Sequence, residues 1–331
     1  MRLSRGSISL AWCLAIAIGA APWSEERYRV GTVRGPVVDA LAGNDVIRAR
    51  LEEWRSKRRA PFLVSRLSLG SELAVMAEYV RGRRANFSWP LATLRNNAGV
   101  YPATDDEAAR FAEAYASAVN ASDGGVVARH GGDYDAVEVE VLASLAPRST
   151  CVSNRALEPF YFPRPWTAAL RGARVLVVHP FAATIERQYR RHRAGERLWA
   201  VDDVLPAMDL VVVPAAVSLG AAPAPHGSWS ETLAAMKAAI DAARPFDVAL
   251  LGCGAYGLPL AHHVLRRGAP AVYVGGALQI LFGIKGARWL DRPFFASRAN
   301  AFWVWPAPEE TPPGAAGVEG SAYWDPALGT R

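Results

Sequence analysis

Residues 252–257 (GCGAYG) form a glycine-rich stretch that could bind phosphate through its backbone. An apolar run precedes this stretch and a helical pattern follows it, which is the context that a G-x-G-x-x-G turn requires. In such a turn, N–H groups and the N-terminus of the helix point towards phosphate oxygens. A glycine turn that only permits close packing of the backbone is the alternative. We predict a phosphate-binding turn that uses Gly252, Gly254, Tyr256 and Gly257.

A cation and a carboxylate lie six residues apart in the first half of the chain. Arg66 ends a short apolar run, and Glu72 stands in the first turn of a predicted helix. Arg66 could pair with diphosphate oxygens, and Glu72 could bind a metal or act on an acceptor hydroxyl. An ion pair between them, or a solvated glutamate at a helix start, is the alternative.

Four more positions are candidates because they lie at predicted strand ends or in polar loops. Asn97 could hydrogen-bond a sugar or a nucleobase, or merely form a turn. His179 ends a predicted strand, where it could act as a general base or be a structural histidine. Gly275 follows the last predicted strand and is assigned to the nucleotide-binding backbone. Lys285 lies in a glycine-flanked loop and could neutralise phosphate or be a surface lysine.

Two patterns argue against other site chemistries. Asp133 and Asp135 have the D-x-D spacing of metal-diphosphate sites, but no apolar strand leads directly into them, so we predict a loop there. A dinucleotide enzyme needs an acid about twenty residues after its glycine turn. Val274 leads into glycines instead, which weakens the case for a nicotinamide cofactor.

Hydrophobic patterns predict the elements that must position these residues. A buried strand at 61–66 precedes a helix at 71–81, and a helix capped by Thr104 runs to 120 before a strand at 125–129. In the second half, three strands are each followed by a helix. The strands lie at 173–178, 210–217 and 246–251, and their helices at 184–193, 229–243 and 256–267. A last strand follows at 271–274. Continuous Val, Leu and Ala runs are typical of strands buried on both faces. We predict an α/β, Rossmann-like fold with a mostly parallel sheet and helices on both faces.

Composition divides the chain into four segments. Residues 1–22 resemble a secretory signal, although a first core helix or an early start codon would give the same pattern. Residues 23–158 are the N-terminal half with the R-x-x-x-G-x-E motif, and residues 159–305 are the Rossmann-like half, which opens with a proline-rich aromatic connector. Residues 306–331 are an extended C-terminal tail, anchored by Tyr323 and Trp324.

The overall charge narrows the possible partners. A chain of 331 residues with a formal net charge of +6 suits an anionic ligand. The arginines are scattered and no basic run interleaves with aromatics, so we predict no nucleic-acid partner. The N-terminal apolar run is too short to predict a firm membrane span. We predict a cytoplasmic location, and the sequence leaves the oligomeric state open.

Together these motifs resemble those of the GT-D type glycosyltransferases. Residues 63–73 (LVSRLSLGSEL) are similar to the N-terminal motif in which an arginine and a nearby D-x-E element serve the nucleotide-sugar. Residues 246–276 are similar to the glycine-containing strand-helix-strand unit of that family. Residues 158–189 and 277–289 resemble segments of uncharacterised bacterial proteins from glycan-biosynthesis clusters. The resemblance covers residues 61–324.

The resemblance implies roles for several residues. Glu72 would be the metal-binding or active-site carboxylate, Arg66 a diphosphate ligand, and Gly254 and Gly257 part of the nucleotide-facing turn. Asn97 is carried over as a ligand of the same site. Gly70 replaces the first acid of the D-x-E element, which leaves a role for Mn²⁺ or Mg²⁺ open.

We predict that the chain is a glycosyltransferase that moves a sugar from a nucleotide-sugar to a glycan or lipid-linked acceptor. Two alternatives remain at this stage. One is an oxidoreductase that uses the turn at Gly252 for NAD(P) or a flavin. The other is a non-catalytic glycan-binding module whose aromatic segments at 160–166 and 303–305 stack on sugars.

Overall fold

Seven strands form one sheet, in which every pair of neighbours is parallel. The computed structural model describes residues 33, 38–57, 59–83, 91–220, 222–290, 292–319 and 321–327. The strand order is β3-β2-β1-β7-β6-β4-β5. The strands are β1 Leu63–Arg66, β2 Val126–Arg129, β3 Thr150–Ser153, β4 Arg174–His179, β5 Asp209–Pro214, β6 Val248–Leu251 and β7 Ala271–Tyr273.

The longer helices connect these strands. They are α1 Ala40–Arg55, α2 Ser71–Val80, α3 Asp105–Asn120, α4 Asp135–Leu145, α5 Ala182–Arg193, α6 Trp229–Ala242 and α7 Gly257–Arg266. Three short helices follow β7: α8 Leu278–Leu281, α9 Ala287–Leu290 and α10 Pro293–Ala296. The predicted cap of α3 is confirmed, because the side chain of Thr104 accepts a hydrogen bond from the Glu107 amide.

Each face of the sheet packs against its own layer. Helices α2, α3, α4, α6 and α7 cover the first face. Helices α1 and α5, with the segments 154–170, 274–290, 292–319 and 321–324, cover the second face. Successive strand residues alternate between the two cores, since neighbouring side chains of a strand point to opposite faces. The predicted α/β, Rossmann-like fold with helices on both faces is confirmed.

Among the strands and the longer helices, three elements have no counterpart in the sequence predictions: α1, α4 and β3. Residues 136–141 read Ala-Val-Glu-Val-Glu-Val, an alternation that is typical of a strand, yet they lie in α4. Strand β3 reads Thr-Cys-Val-Ser, so polar residues stand at both of its ends and no continuous apolar run marks it. Tertiary packing therefore overrides the local pattern at these places.

The described residues of the C-terminal segment, 308–319 and 321–327, pack against the carboxyl edge of the sheet. Glu310 accepts hydrogen bonds from the backbone amides of Ala183 and Thr184 at the start of α5, after β4. Trp324 is buried, and its indole nitrogen donates to the Glu310 carbonyl. The signal-like segment 1–22 lies outside the described residues. Across the described residues, every helix is too short or too polar to cross a lipid bilayer.

A buried asparagine ties α1 to the segment that enters β4. The Asn44 side chain accepts from the Trp166 amide at 2.8 Å and donates to the Arg164 carbonyl at 2.9 Å. We expect Asn44→Ala to lower the free energy of unfolding by about 2 kcal/mol, because both backbone groups would lose their partner. Urea denaturation would measure this loss.

Glu52→Ala on the same helix is the control, since its pair with Arg48 is exposed and 3.6 Å long. Such a pair contributes less than about 1 kcal/mol. Equal losses in the two variants would contradict the anchoring role of Asn44.

Candidate functional site

The carboxyl ends of β1, β2 and β7 bring together side chains that are far apart in sequence. Arg66 ends β1, His130 follows β2, and Tyr273 ends β7. Arg66 Nη2 lies 3.1 Å from His130 Nε2, and the guanidinium carbon lies 5.7 Å from the centre of the Tyr273 ring. Ligands of open α/β sheets bind at this edge. Arg66 therefore lies where a ligand would bind.

Glu138 and His130 form a chain of hydrogen bonds that leads to Arg66. Glu138 on α4 accepts from the backbone amides of His130 and Gly131, and its Oε1 lies 3.2 Å from His130 Nδ1. Burial alone would raise the pKa of Glu138, but these hydrogen bonds hold it below its usual value. Burial lowers the pKa of His130, so its ring is neutral and Nε2 can accept from Arg66. The chain Glu138, His130, Arg66 thus orients the guanidinium.

Glu72 shares the electrostatic environment of Arg66. Its side chain is buried in the first turn of α2, where Ser71 Oγ donates to it at 3.1 Å. The pKa of Glu72 is raised to about 7, chiefly by burial and to a smaller degree by the charge of Glu319. Hydrogen bonds from its backbone and from Ser71, and the charge of Arg66, oppose this rise. Within the described part of the chain, Glu72 forms no ion pair with Arg66. Glu72 can therefore exchange a proton near neutral pH.

Two glycines of the predicted site leave the space that Arg66 and a ligand need. Gly275 has φ +75°, and a Cβ there would lie 2.2 Å from Arg66 Nη1. Gly254 has φ +54°, and no described atom lies within 4 Å of where its Cβ would be. Its carbonyl accepts from the Tyr273 hydroxyl at 2.9 Å. Gly254 thus presents open backbone beside Tyr273.

The other members of the turn serve packing. A Cβ on Gly257 would lie 2.2 Å from Tyr273 Cε2, and one on Gly252 would lie 2.8 Å from His179 Cδ2. Tyr256 is buried, with its hydroxyl 2.9 Å from Ser218 Oγ and its ring stacked on Trp229. The close-packing alternative therefore describes these three positions.

His179 has the geometry of a structural histidine. It is buried, and its Nδ1 accepts from the Phe181 amide at 3.0 Å. Burial lowers its pKa to about 3, so the ring stays neutral at physiological pH. A base with so low a pKa has little power to remove a proton from a hydroxyl.

Asn97 and Lys285 are not brought to Arg66. Asn97 lies in the π-helical turn Leu94–Ala98, where its side chain accepts from Asn96 Nδ2 at 2.7 Å. Lys285 is held through its backbone, since its amide donates to the Val304 carbonyl at 2.7 Å. In the residues that the structure describes, neither contacts Arg66 or Glu72.

The C-terminal segment adds residues that the sequence patterns did not predict. Arg288 pairs with Glu319 and donates to the Tyr323 hydroxyl at 3.2 Å. Glu319 has φ +48°, a left-handed backbone conformation that is uncommon outside glycine. No local signal marks these residues. His130, by contrast, could have been recognised as a polar residue directly after a predicted strand.

The donor set near Glu72 does not fit a divalent cation. Glu319 is already taken up by Arg288, and the Arg66 guanidinium repels a cation. Asp133 lies in a 3-10 turn and not in an open loop, and Asp135 begins α4 and accepts from Arg129 at 2.5 Å. The described residues contain no group of three or more His, Cys, Asp or Glu side chains that could hold a metal.

Comparison with known proteins identifies no family for the chain. No family model matches it, and neither a curated protein nor a solved structure matches it at a significant level. The chemistry of this edge of the sheet therefore has to follow from its own side chains.

The raised pKa of Glu72 makes stability depend on pH. In the unfolded chain this glutamate titrates near 4.5, so between pH 4.5 and about 7 the folded chain binds more protons. The stability that Glu72 contributes is therefore present below pH 4.5 and lost as the pH rises through about 7. By linkage the loss is on the order of 3 kcal/mol.

Glu72→Gln should remove this loss, because glutamine does not titrate. Urea unfolding at about pH 5 and about pH 8 would measure the change for both proteins. We expect a smaller fall in stability for the variant than for the wild type. Parallel pH profiles would contradict the perturbed pKa.

The two roles within the glycine turn can be separated by substitution. Gly254→Ala should cost about 1 kcal/mol, because only its backbone conformation is unfavourable. Gly257→Ala should cost about 3 kcal/mol, because its Cβ overlaps the Tyr273 ring. Urea denaturation would measure the free energy of unfolding of both variants. A larger loss of stability for Gly254→Ala than for Gly257→Ala would contradict these roles.

Proposed function

We propose that the chain transfers a sugar from a nucleotide-sugar to a hydroxyl group of a glycan or lipid-linked acceptor. The observation that carries this proposal is the position of Arg66. Its guanidinium lies at the carboxyl edge of a parallel sheet, oriented by His130 and Glu138, and within electrostatic range of Glu72, whose pKa is about 7.

An anionic ligand would satisfy Arg66. Its Nε is buried and has no hydrogen-bond partner among the described residues. A buried donor without an acceptor costs free energy, so a negatively charged oxygen is favoured at this place. The backbone of Gly254, whose carbonyl accepts from the Tyr273 hydroxyl, faces open space. A diphosphate has the charge and the number of oxygens that this arrangement requires.

The reaction uses two groups of this site. The acceptor oxygen forms a bond to the anomeric carbon of the sugar while the bond from that carbon to the diphosphate oxygen breaks. The electron pair of the broken bond stays on the diphosphate, where Arg66 stabilises the added charge. The proton of the acceptor hydroxyl moves to the ionised carboxylate of Glu72, whose pKa near 7 suits a base at neutral pH.

The resemblance to the GT-D glycosyltransferases supports the same assignment. Residues 63–73 form β1 and the start of α2, and residues 246–276 contain β6, α7 and β7. Strands β1 and β7 are neighbours, so the two resembling segments meet in the sheet. We place the reaction in the cytoplasm, where nucleotide-sugar donors are found.

The alternatives have less support. A dinucleotide enzyme needs an acidic side chain for the ribose about twenty residues after its glycine turn. Close to that place, this chain has Gly275, against which the Arg66 guanidinium lies. Phe160, Trp166 and Trp303 are buried in the second-face core, so these aromatics are not available to stack on sugars. Of the same two segments, Tyr161 and Trp305 are only partly exposed. No specific observation on the described residues favours an oxidoreductase or a glycan-binding module.

A thermal-shift panel of UDP-, GDP-, TDP- and CMP-sugars tests the function. A nucleotide-sugar that binds the folded chain must raise its melting temperature. We expect Arg66→Ala to weaken binding by about tenfold or more, because a charge-assisted contact to the diphosphate is lost. Turnover of the same nucleotide-sugar should fall with it.

Arg174→Ala is the matched control, since Arg174 begins β4 at the opposite edge and is 45% exposed. This variant should bind like the wild type. A shift with a nicotinamide or flavin cofactor, and none with any nucleotide-sugar, would favour the oxidoreductase instead.

A further inference from the structure

Two buried acceptor groups lie at the same edge of the sheet without a donor. Asn154 and Glu158 are 8% and 6% exposed. Asn154 Oδ1 and Glu158 Oε2 have no hydrogen-bond partner among the described residues. Buried polar atoms are nearly always paired, and an unpaired carboxylate oxygen is costly. Both atoms therefore require a donor that the described part of the chain does not supply.

The strand register puts Asn154 beside the Arg66 site. Arg129 pairs with Ser153, so His130 and Asn154 come at the same level directly after the ends of the adjacent strands β2 and β3. Arg66 lies level with the residue two positions before His130, and residues two apart share a face of the sheet. Two positions before Arg66, His130 and Asn154 stand Val64, Ala128 and Val152, which all pack in the core on the second face of the sheet. Arg66 and His130 thus line the same side, where they contact each other, and Asn154 begins the 3-10 turn that follows the neighbouring strand β3 at this edge.

Four arginines surround Glu158 electrostatically. Burial raises the pKa of Glu158, while Arg155, Arg292, Arg66 and Arg288 lower it, in that order. A cationic ligand would be repelled by this group of guanidiniums. A ligand that donates hydrogen bonds to the two acceptors must therefore be neutral at that point or carry negative charge elsewhere.

We propose that Asn154 and Glu158 form a hydroxyl-binding subsite that holds the sugar ring of the donor while Arg66 holds its diphosphate. This inference rests on the proposed function. Sugar hydroxyls can donate to the amide and carboxylate oxygens and can accept from guanidinium groups. The subsite selects a donor whose transferred sugar carries free ring hydroxyls, and Glu158 acts as a binding and positioning residue.

The test compares each nucleotide-sugar with the same nucleotide without its sugar. Calorimetry would measure the affinities of UDP-glucose, UDP-N-acetylglucosamine and GDP-mannose against UDP and GDP for the full chain. The wild type should bind at least one sugar-bearing ligand more tightly than its nucleotide. Glu158→Gln and Asn154→Ala should reduce that difference by about tenfold.

The sign of the effect on the nucleotide alone distinguishes this subsite from a ribose site. Glu158→Gln removes a negative charge near the arginines, so UDP should bind as tightly as before or more tightly. An equal loss for UDP and UDP-glucose would overturn the inference, because the hydroxyls recognised would then be those of the ribose. An unchanged difference in both variants would overturn it as well and leave the transferase proposal intact.

Two controls keep the result clear. Asn120→Ala, an exposed residue at the end of α3 and the opposite edge of the sheet, should change nothing. The melting temperature of Glu158→Gln without ligand should equal or exceed that of the wild type, because an unpaired buried carboxylate is removed. A lower value would assign Glu158 a structural role and contradict the subsite.

Glucose 1-phosphate against inorganic phosphate is a second probe that does not need a nucleotide. A preference for glucose 1-phosphate that Glu158→Gln removes would support the subsite even if no nucleotide binds, in which case only the transferase proposal fails. If the wild type prefers no sugar-bearing ligand in either series, the subsite is refuted.

Discussion

The pairing of β1 with β7 is the constraint on which the site depends. Leu63 and Val64 pair in parallel with Ala271 and Val272, about two hundred residues later in the chain. This contact joins three strands from the first half of the chain to four from the second half. It also sets Arg66 against the backbone that follows β7, where only a glycine leaves room for the guanidinium.

The pKa values of Glu138, Glu72 and Glu158 differ because of their hydrogen bonds more than because of their burial. All are buried, and burial by itself raises a carboxyl pKa. Glu138 accepts from two backbone amides and from His130, and its pKa falls below the usual value. Glu72 receives one side-chain hydrogen bond, and its pKa rises to about 7. Glu158 keeps an oxygen without a described partner, and its pKa is raised too. Glu138 thus stays ionised and holds His130, while Glu72 and Glu158 take up a proton more readily than an exposed glutamate.

The C-terminal segment completes the site from the far end of the chain. Glu310 satisfies amide groups at the start of α5, and Trp324 is buried behind it. Between these anchors the segment carries Glu319 to Arg288, within electrostatic reach of Glu72. The charge on Glu72 therefore depends on residues almost 250 positions away, because electrostatic interactions act through space.

The sequence by itself determined the fold class and most elements, since buried parallel strands are continuous apolar runs and capped helices carry local signals. It also placed Arg66 at the end of a strand, Glu72 in the first turn of the following helix, and Gly254 in a turn between a strand and a helix. It could not separate Gly254 from Gly257, because one motif contains both, and only the Tyr273 ring decides which of them has space. Nor could it assign Glu158, whose surroundings come from segments that are distant in the chain. Periodicity and capping are local properties that a sequence records, whereas burial, pairing and pKa depend on neighbours that only tertiary packing supplies.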